Sequence, residues 1–296
     1  FKQKTAYEIR LSLVGSEMCI RDSHYQTMNS GASKIKYTTS FPTSLIINGL
    51  SVFGYELAKS LTEQGGYVVI LDNLDSTNTD VNKSQYLEAI LDLEHTGVVD
   101  FTGLTDLVAE LRRLDYVFYL NHQANSNQST LTSQEFLQSS SYLNQILKLA
   151  ADFEALFTLT NSIRGHKFLV DSKGFSAHYL QSQGSNYLTY SQAEFIRYSE
   201  NLVTEYKQVR NLHAKILRIG EVLGEGVELA TESFGKQLVQ SAASSQDLYL
   251  HDDGLTTDYY VHILDAVYGV IKAQFTKNLQ DYIYSIAYPD PITELS

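Results

Sequence analysis

A loop of small residues and a later carboxylate have the types and spacing of a phosphate- and ribose-binding site. The loop contains Asn48, Gly49, Ser51 and Gly54, and Asp72 follows 24 residues after Asn48. Glycine in such a loop permits positive φ and lets the backbone approach a pyrophosphate at the start of a helix. A carboxylate at that distance binds ribose hydroxyls and repels a 2′-phosphate, so the pair predicts NAD rather than NADP.

The loop departs from an all-glycine pattern at two positions. Asn48 tolerates the left-handed backbone conformation better than most residues. Ser51 adds a Cβ where the pyrophosphate would approach, whereas Gly54 allows the helix to pack closely on the strand. The alternative is an ordinary strand, turn and helix in which the aspartate only caps a helix.

Strands and helices that alternate along the chain must position these groups. Short apolar runs predict strands at 45–47, 67–71, 116–120, 155–159 and 214–219, and helical periodicity predicts helices at 55–64, 107–113, 134–152 and 191–209. This alternation predicts an α/β fold with a doubly wound parallel sheet. Ligands of such sheets bind at the carboxyl ends of the strands.

The composition excludes several classes of protein. The net charge of −12 disfavours a general nucleic-acid or anionic-membrane binder. The sequence contains no apolar run long enough for a transmembrane helix. The one cysteine cannot form an intrachain disulfide, and the eight histidines show no metal-binding spacing, so we expect no metal. We expect a cytoplasmic protein.

The first 23 residues resemble an artefact of sequencing. Met18 to Asp22 is what ATG-TGT-ATA-AGA-GAC encodes, and these bases resemble a transposon end used in library preparation. A targeting peptide is the alternative, although polar residues interrupt its apolar part. We therefore expect an artefact-like and flexible lead-in over 1–43, a cofactor-binding domain over 44–220 and a partial substrate lobe over 221–296. We expect a chain truncated at both ends.

From Leu45 onward the chain resembles the extended short-chain dehydrogenase/reductase family. The pattern is similar to the NAD-dependent sugar-nucleotide epimerases, dehydratases and decarboxylases, which have an NAD-binding Rossmann fold. The resemblance implies that NAD is held by the loop and by the strand ends that follow it. These residues are Asn48, Gly49, Ser51, Val52, Phe53, Gly54, Asp72, Asn73, Asp100, Phe101, Leu120, Asn121 and His122.

The catalytic positions depart from this family. Its members use a Tyr and, four residues later, a Lys, together with a Ser or Thr at the preceding strand end. The resemblance implies Ser162 for the hydroxyl, Tyr190 for the base and Glu194 in the Lys position. Tyr187 offers another register, which also lacks the Lys. A carboxylate beside a phenol raises the phenol pKa, so it reduces the population of the phenolate base.

The substrate positions also depart from the family. Asp258 stands where members carry an Arg that grips a diphosphate, and Glu221 begins the turn into the substrate lobe. From residue 221 onward, twelve carboxylates stand against three lysines. A carboxylate repels the diphosphate that an Arg would bind.

Two hypotheses follow. The chain is an NAD-binding relative of nucleotide-sugar epimerases and dehydratases with an altered catalytic set, acting on a nucleotide sugar or another polyol. Alternatively, it is a non-catalytic NAD-binding or protein-interaction scaffold. Damage to the sequence during assembly is a third explanation of the departures. The resemblance also implies a homodimer through a four-helix bundle of the helices at 134–152 and 191–209.

Overall fold

The computed structural model describes residues 41–74, 81–121, 132–163, 187–227, 234–248, 257–277 and 279–293. Its strands are β1 Thr43–Ile47, β2 Tyr67–Asp72, β3 Thr96–Asp100, β4 Tyr116–Leu120, β5 Leu156–Ser162, β6 Ala214–Ile219, β7 Glu221–Leu223, β8 Thr257–Asp258, β9 Tyr260–His262, β10 Ile283–Ile286 and β11 Ile292–Thr293. Its α-helices are α1 Val52–Thr62, α2 Val81–Leu91, α3 Leu104–Glu110, α4 Ser133–Asp152, α5 Tyr187–Arg210, α6 Phe234–Ser244 and α7 Ile263–Phe275. None of the helices within these ranges is both long and apolar enough to cross a membrane.

The central sheet confirms the predicted doubly wound architecture. Seven strands lie in the order β10-β6-β5-β4-β1-β2-β3, and neighbours in the sheet are parallel. The chain winds from β1 through β2 to β3 in one direction, then returns to β4 and winds the other way. The reversal between β1 and β4 is the switch point at which sheets of this kind bind ligands.

Two apolar cores cover the two faces of this sheet. On one face, Leu45 and Ile47 belong to the core that includes residues of α3, α4 and α5. On the other face, Ile46 belongs to the core that includes residues of α1, α2 and α7. All five residues of β1 are buried, which explains why its apolar residues Leu45 to Ile47 are consecutive and do not alternate with polar ones.

The helix after the loop begins earlier than predicted. It starts at Val52 and not at residue 55, because the Ser51 side chain accepts a hydrogen bond from the Gly54 amide and acts as the N-cap. Gly54 therefore lies inside the helix. After the C-terminal end of α1, Gly65 has a positive φ of 82°, and the amide of the next residue, Gly66, donates to the Leu61 carbonyl.

Helix α2 and strand β3 are absent from the sequence-based prediction. Helix α2 buries only Ile90, so it has no apolar stripe for periodicity to detect. In the C-terminal part, β10 pairs with β6 in the main sheet, whereas β7 pairs with β9 and β8 with β11. Residues beyond 220 therefore contribute to the central sheet as well as to smaller pairings.

Candidate functional site

The loop after β1 is packed tightly against the end of β4 and the start of α1. Asn48 has a φ of 58°, the left-handed conformation that its residue type tolerates. Its side-chain amide donates to the Leu120 carbonyl at 3.2 Å, which ties the loop to the end of β4. A Cβ at Gly54 would overlap the Gly49 carbonyl oxygen, so α1 and the loop are in close contact.

The start of α1 is suited to an anion. No acidic residue lies in its first turn, and the backbone dipole gives a helix N-terminus a partial positive charge. Ser51 is extended, with φ −155° and ψ 166°, and its hydroxyl bonds the Gly54 amide at 3.1 Å. The backbone at Val52 and Phe53 completes the predicted phosphate loop. These residues fit the pyrophosphate of a dinucleotide.

Asp72 joins the loop to the end of β2. Its Oδ2 accepts from the Leu50 amide at 2.9 Å, and its Oδ1 accepts from the Asn73 amide at 2.8 Å. Lys83 of α2 also lies 2.9 Å from Oδ1. The residue is only 2% exposed. The sequence alone indicates only the negative charge of Asp72, and the structure places the Lys83 ammonium beside it.

Asp100 occupies the equivalent position at the end of β3. Its carboxylate accepts from the Leu74 amide at 2.8 Å and from the Thr102 amide at 2.8 Å. Burial raises the pKa of this carboxyl, but hydrogen bonds from Thr102, Leu74 and Phe101 outweigh burial and lower the pKa overall. The neighbouring Phe101 ring stacks on Tyr142 with 4.6 Å between centroids.

A buried side-chain amide lies directly after the end of β4. Leu120 is fully buried, and Asn121 is 5% exposed. The Asn121 side chain donates to Asn161 Oδ1 at 2.6 Å, which connects the ends of β4 and β5. His122, the third residue predicted here, lies outside the described residues.

Asn161 connects β5 to one side of α5. Its side-chain nitrogen donates to the Ile196 carbonyl at 3.2 Å, to Ser199 Oγ at 3.2 Å and to Glu200 Oε1 at 3.3 Å. The predicted catalytic Ser162 follows at once and pairs in register with Ile219 of β6. The side of α5 that faces the end of β5 is therefore the side of Ile196, Ser199 and Glu200.

Glu194 lies on a different side of α5. Its side chain is 56% exposed and forms an ion pair with Arg197, three residues later. Because an α-helix turns about 100° per residue, Glu194 lies about 160° around the helix from Ile196. Tyr187 and Tyr190 lie in the first turn of the same helix, and their side chains are outside the described part of the chain.

An ion pair holds α5 against strand β6. Arg218 of β6 binds Glu200 through two contacts, Nη2 to Oε2 at 2.7 Å and Nε to Oε1 at 3.2 Å. The Glu200 side chain is 9% exposed and the Arg218 side chain 29%. The polar groups between β4, β5, β6 and α5 therefore bond one another.

The predicted substrate residues lie on strands of two different small sheets, Glu221 on β7 and Asp258 on β8. Glu221 of β7 pairs in register with Tyr260, and Asp258 lies two residues before that tyrosine. Glu221 also lies 3.3 Å from the buried Lys236 of α6. The loop after β7 contacts helix α2, where the Gly226 carbonyl accepts a hydrogen bond from the Tyr86 hydroxyl at 3.0 Å. Among the described residues, no group of three His, Cys, Asp or Glu could hold a metal ion.

Several residues at this edge were not identified from the sequence. They are Lys83, Tyr86, Asn161, Glu200, Arg218 and Lys236. Each meets a partner eleven or more residues away, beyond the spacings that a helix or strand pattern reveals. The i to i+3 spacing of Glu194 and Arg197 is different, because it is a recognisable helix pair.

Comparisons with known proteins agree with this fold. A sequence model described as the NAD dependent epimerase/dehydratase family matches residues 47–287. No curated protein sequence matches the chain.

Solved structures with the same fold include three sugar-nucleotide enzymes. The UDP-glucuronic acid 4-epimerase of Bacillus cereus, in complex with UDP-glucuronic acid and NAD, is 17% identical with a TM-score of 0.65 over 86% of this chain and 80% of its own. The dTDP-glucose 4,6-dehydratase of Bacillus anthracis, in complex with NAD, is 14% identical with a TM-score of 0.63 over 86% and 78%. The UDP-N-acetylglucosamine 4-epimerase of Methanobrevibacter ruminantium is 14% identical with a TM-score of 0.65 over 86% and 79%. At these identities the likeness concerns the fold.

Proposed function

The chain belongs to the NAD-dependent epimerase/dehydratase family, and we propose that it binds NAD and a nucleotide sugar or another polyol with an altered catalytic set. The observation that carries this proposal is the hydrogen bond from the Leu50 amide to Asp72 beside the tightly packed Gly54. It joins the phosphate loop to the ribose-binding carboxylate at the switch point of the sheet.

The residues assigned to the cofactor divide by the part of NAD they would hold. The backbone from Asn48 to Gly54 would hold the pyrophosphate at the start of α1. Asp72 and Asn73 would lie at the adenosine ribose, and Asp100 and Phe101 at the adenine. Leu120, Asn121 and His122 would line the nicotinamide half. When bound, NAD supplies a hydride acceptor.

The proposed catalytic set has the hydroxyl and the phenol of the family pattern but lacks the ammonium of its Lys. Ser162 would bond a substrate hydroxyl, and Tyr190 or Tyr187 would accept its proton. Glu194 would stand in the Lys position, where a negative charge raises a phenol pKa by disfavouring the phenolate. Each unit of such a rise reduces the phenolate population about tenfold below the pKa, or about 1.4 kcal/mol.

A titration of NAD into the full chain tests the cofactor site. We expect heat of binding from the wild type and a markedly weaker affinity from Asp72→Ala, because the variant lacks the ribose acceptor. Asp106→Ala, an exposed carboxylate of α3, is the matched control and should leave the affinity unchanged. A folded wild type that binds no NAD would refute the site.

A panel of nucleotide sugars then tests turnover. Reduction of bound NAD is followed by absorbance in the band of the reduced cofactor, and products are analysed in parallel. If Glu194 impairs the base, Glu194→Lys should raise any hydride transfer, whereas an unchanged rate would reject that role for Glu194.

A non-catalytic NAD-binding scaffold is the second candidate. Two observations favour it. The end of β5 meets α5 at the Ile196 backbone carbonyl and at the side chains of Ser199 and Glu200. Glu194 is exposed and paired with Arg197. This candidate predicts NAD binding without product from any sugar in the panel, for the wild type and for Glu194→Lys alike.

We also propose a homodimer through α4 and α5. Phe136 of α4 packs against Phe195 of α5 with 5.5 Å between centroids, while Leu137, Tyr198 and Val209 remain exposed on these helices. A cavity of about 330 Å³ on the outer side of α5 is lined by Tyr198, Asn201, Leu202, Thr204, Glu205 and Gln208. Sedimentation should show a dimer that Val209→Glu weakens, and a wild-type monomer would contradict this proposal.

A further inference from the structure

A cation lies beside Asp72, where the adenosine ribose would bind, and we call this place the ribose corner. The sequence pattern of loop and carboxylate does not include this cation. Lys83 lies in the first turn of α2, eleven residues after Asp72. Its Nζ is 2.9 Å from Asp72 Oδ1. The Lys83 side chain is 30% exposed, whereas that of Asp72 is 4% exposed. The ammonium therefore lies between the buried carboxylate and solvent.

The Asp72 carboxylate has little acceptor capacity left. A carboxylate offers about four lone-pair positions. The Leu50 amide uses one on Oδ2, and the Asn73 amide and Lys83 use two on Oδ1. One position remains, whereas a ribose diol bound through both hydroxyls requires two.

The charge of Asp72 itself is also offset by an ammonium, while Asp100 of the neighbouring strand adds a second carboxylate. A lone carboxylate discriminates against a 2′-phosphate because two negative charges would meet in a poorly solvated place. Here Asp72 is paired with Lys83, so its own repulsion of a phosphate is reduced. A phosphate carried on the ribose hydroxyl that Asp72 would bind lies next to Lys83, and an ammonium is a good donor to phosphate oxygens.

We propose that Lys83 makes this corner accept a 2′-phosphate, so that the chain binds NADP as well as NAD. The proposal rests on the cofactor site described above. It assigns Lys83 the role of a specificity-determining residue for the dinucleotide. It also revises the preference for NAD over NADP that Asp72 alone predicts.

Calorimetric titrations of NAD and NADP into the full chain test this role. We expect the two dissociation constants of the wild type to agree within about tenfold, with NADP displacing NAD. In Lys83→Met the dissociation constant of NADP should rise about tenfold or more, because a phosphate–ammonium contact is lost and Asp72 becomes unpaired. NAD should bind equally well or more tightly, because Asp72 regains an acceptor position.

Two further variants separate the specific role of Lys83 from a structural one. Lys83→Arg keeps the charge and should keep NADP binding. Lys277→Met removes an exposed lysine in the turn after α7 and should change neither affinity. Circular dichroism and thermal unfolding confirm that each variant is folded before it is titrated.

The outcomes distinguish this proposal from the cofactor site itself. If the wild type binds NAD but not NADP, the role of Lys83 is refuted and the cofactor site stands. If Lys83→Met weakens both dinucleotides equally, Lys83 supports the fold and not the 2′-phosphate. If neither dinucleotide binds the folded wild type, the cofactor site fails and the proposal fails with it.

Discussion

Polar groups at the carboxyl ends of the strands have different roles in the two halves of the central sheet. At the ends of β1, β2 and β3, backbone amides of the loops donate to Asp72 and Asp100. At the ends of β4, β5 and β6, buried side chains bond one another, from Asn121 through Asn161 to Glu200 and Arg218. In the first half the polar groups hold loops, whereas in the second they hold strands and a helix together.

This difference separates elements that are held through loop amides from elements that are held through buried side chains. The loop after β1 depends on backbone geometry, and Asn48 adopts the left-handed conformation that a glycine would otherwise supply. Proton transfer depends on particular side chains at particular helix positions. The positions of α5 that meet the end of β5 are those of Ile196, Ser199 and Glu200, whereas Glu194 is exposed and paired with Arg197.

The largest expected effect is at the contact between α1 and the loop. Gly54→Val would place side-chain atoms against the Gly49 carbonyl, and backbone cannot move aside as a flexible side chain can. We expect a loss of about 3 kcal/mol or more in the free energy of unfolding, together with the loss of NAD binding. Urea unfolding and calorimetric titration measure both effects.

Gly103→Ala is the control for this variant. Its new Cβ would meet only Val99 Cγ1, at 3.1 Å, and a side chain can adjust. A small change there and a large one at Gly54 would support the close packing of the loop. Equal changes at both glycines would contradict it.

The second effect concerns the ion pair that fixes α5 to β6. Arg218→Met leaves Glu200 buried without its cation, for which we expect a loss of about 3 kcal/mol in stability. Arg197→Met removes the partner of the exposed Glu194 instead, and we expect a change below about 0.5 kcal/mol.

Arg218→Met and Arg197→Met also test whether the two halves of the sheet are independent. NAD affinity should stay close to that of the wild type in both, because neither pair touches the cofactor loop. A large loss of affinity in folded Arg218→Met would mean that the two halves are energetically coupled.

The sequence predicts the elements that are buried on both faces and misses those that are not. Strands β1 and β2 each contain an unbroken apolar run, Leu45 to Ile47 and Tyr67 to Leu71, and their predicted positions differ from the observed ones by no more than two residues. Helix α2 buries only Ile90, so its sequence lacks the periodicity of a packed helix. Helix α1 begins three residues before its predicted start because Ser51 caps it, and the apolar periodicity begins only after that cap.

The candidate site shows the same limit at the level of single residues. The left-handed conformation of Asn48 follows from its type and its place after a buried strand. The pairs Lys83–Asp72 and Arg218–Glu200 depend on how a helix crosses the edge of a sheet, and spacing along the chain does not determine that crossing. The predicted roles of Ser162, Tyr190 and Glu194 stay predictions.

The smallest expected effect concerns Asp100, which holds the loop after β2 through the Leu74 amide. Asp100→Ala removes this bond and the cap at Thr102, so we expect a loss of about 1 kcal/mol at neutral pH. Hydrogen bonds outweigh burial and lower the pKa of the folded carboxyl, so its ionised form stabilises the fold above the unfolded pKa of about 3.9. That contribution is lost as the pH falls through the lowered folded pKa.

The stability difference between the wild type and Asp100→Ala should therefore shrink below about pH 4, where both states of the wild type become protonated. Urea unfolding at a series of pH values measures this difference, and Asp106→Ala, which removes an exposed carboxylate of the neighbouring helix, provides the baseline for general acid effects. A difference that grew on acidification would mean that the carboxyl is more stable in the fold when protonated. Asp100 would then be a buried acid, and the loop after β2 would depend on burial more than on hydrogen bonds to its amides.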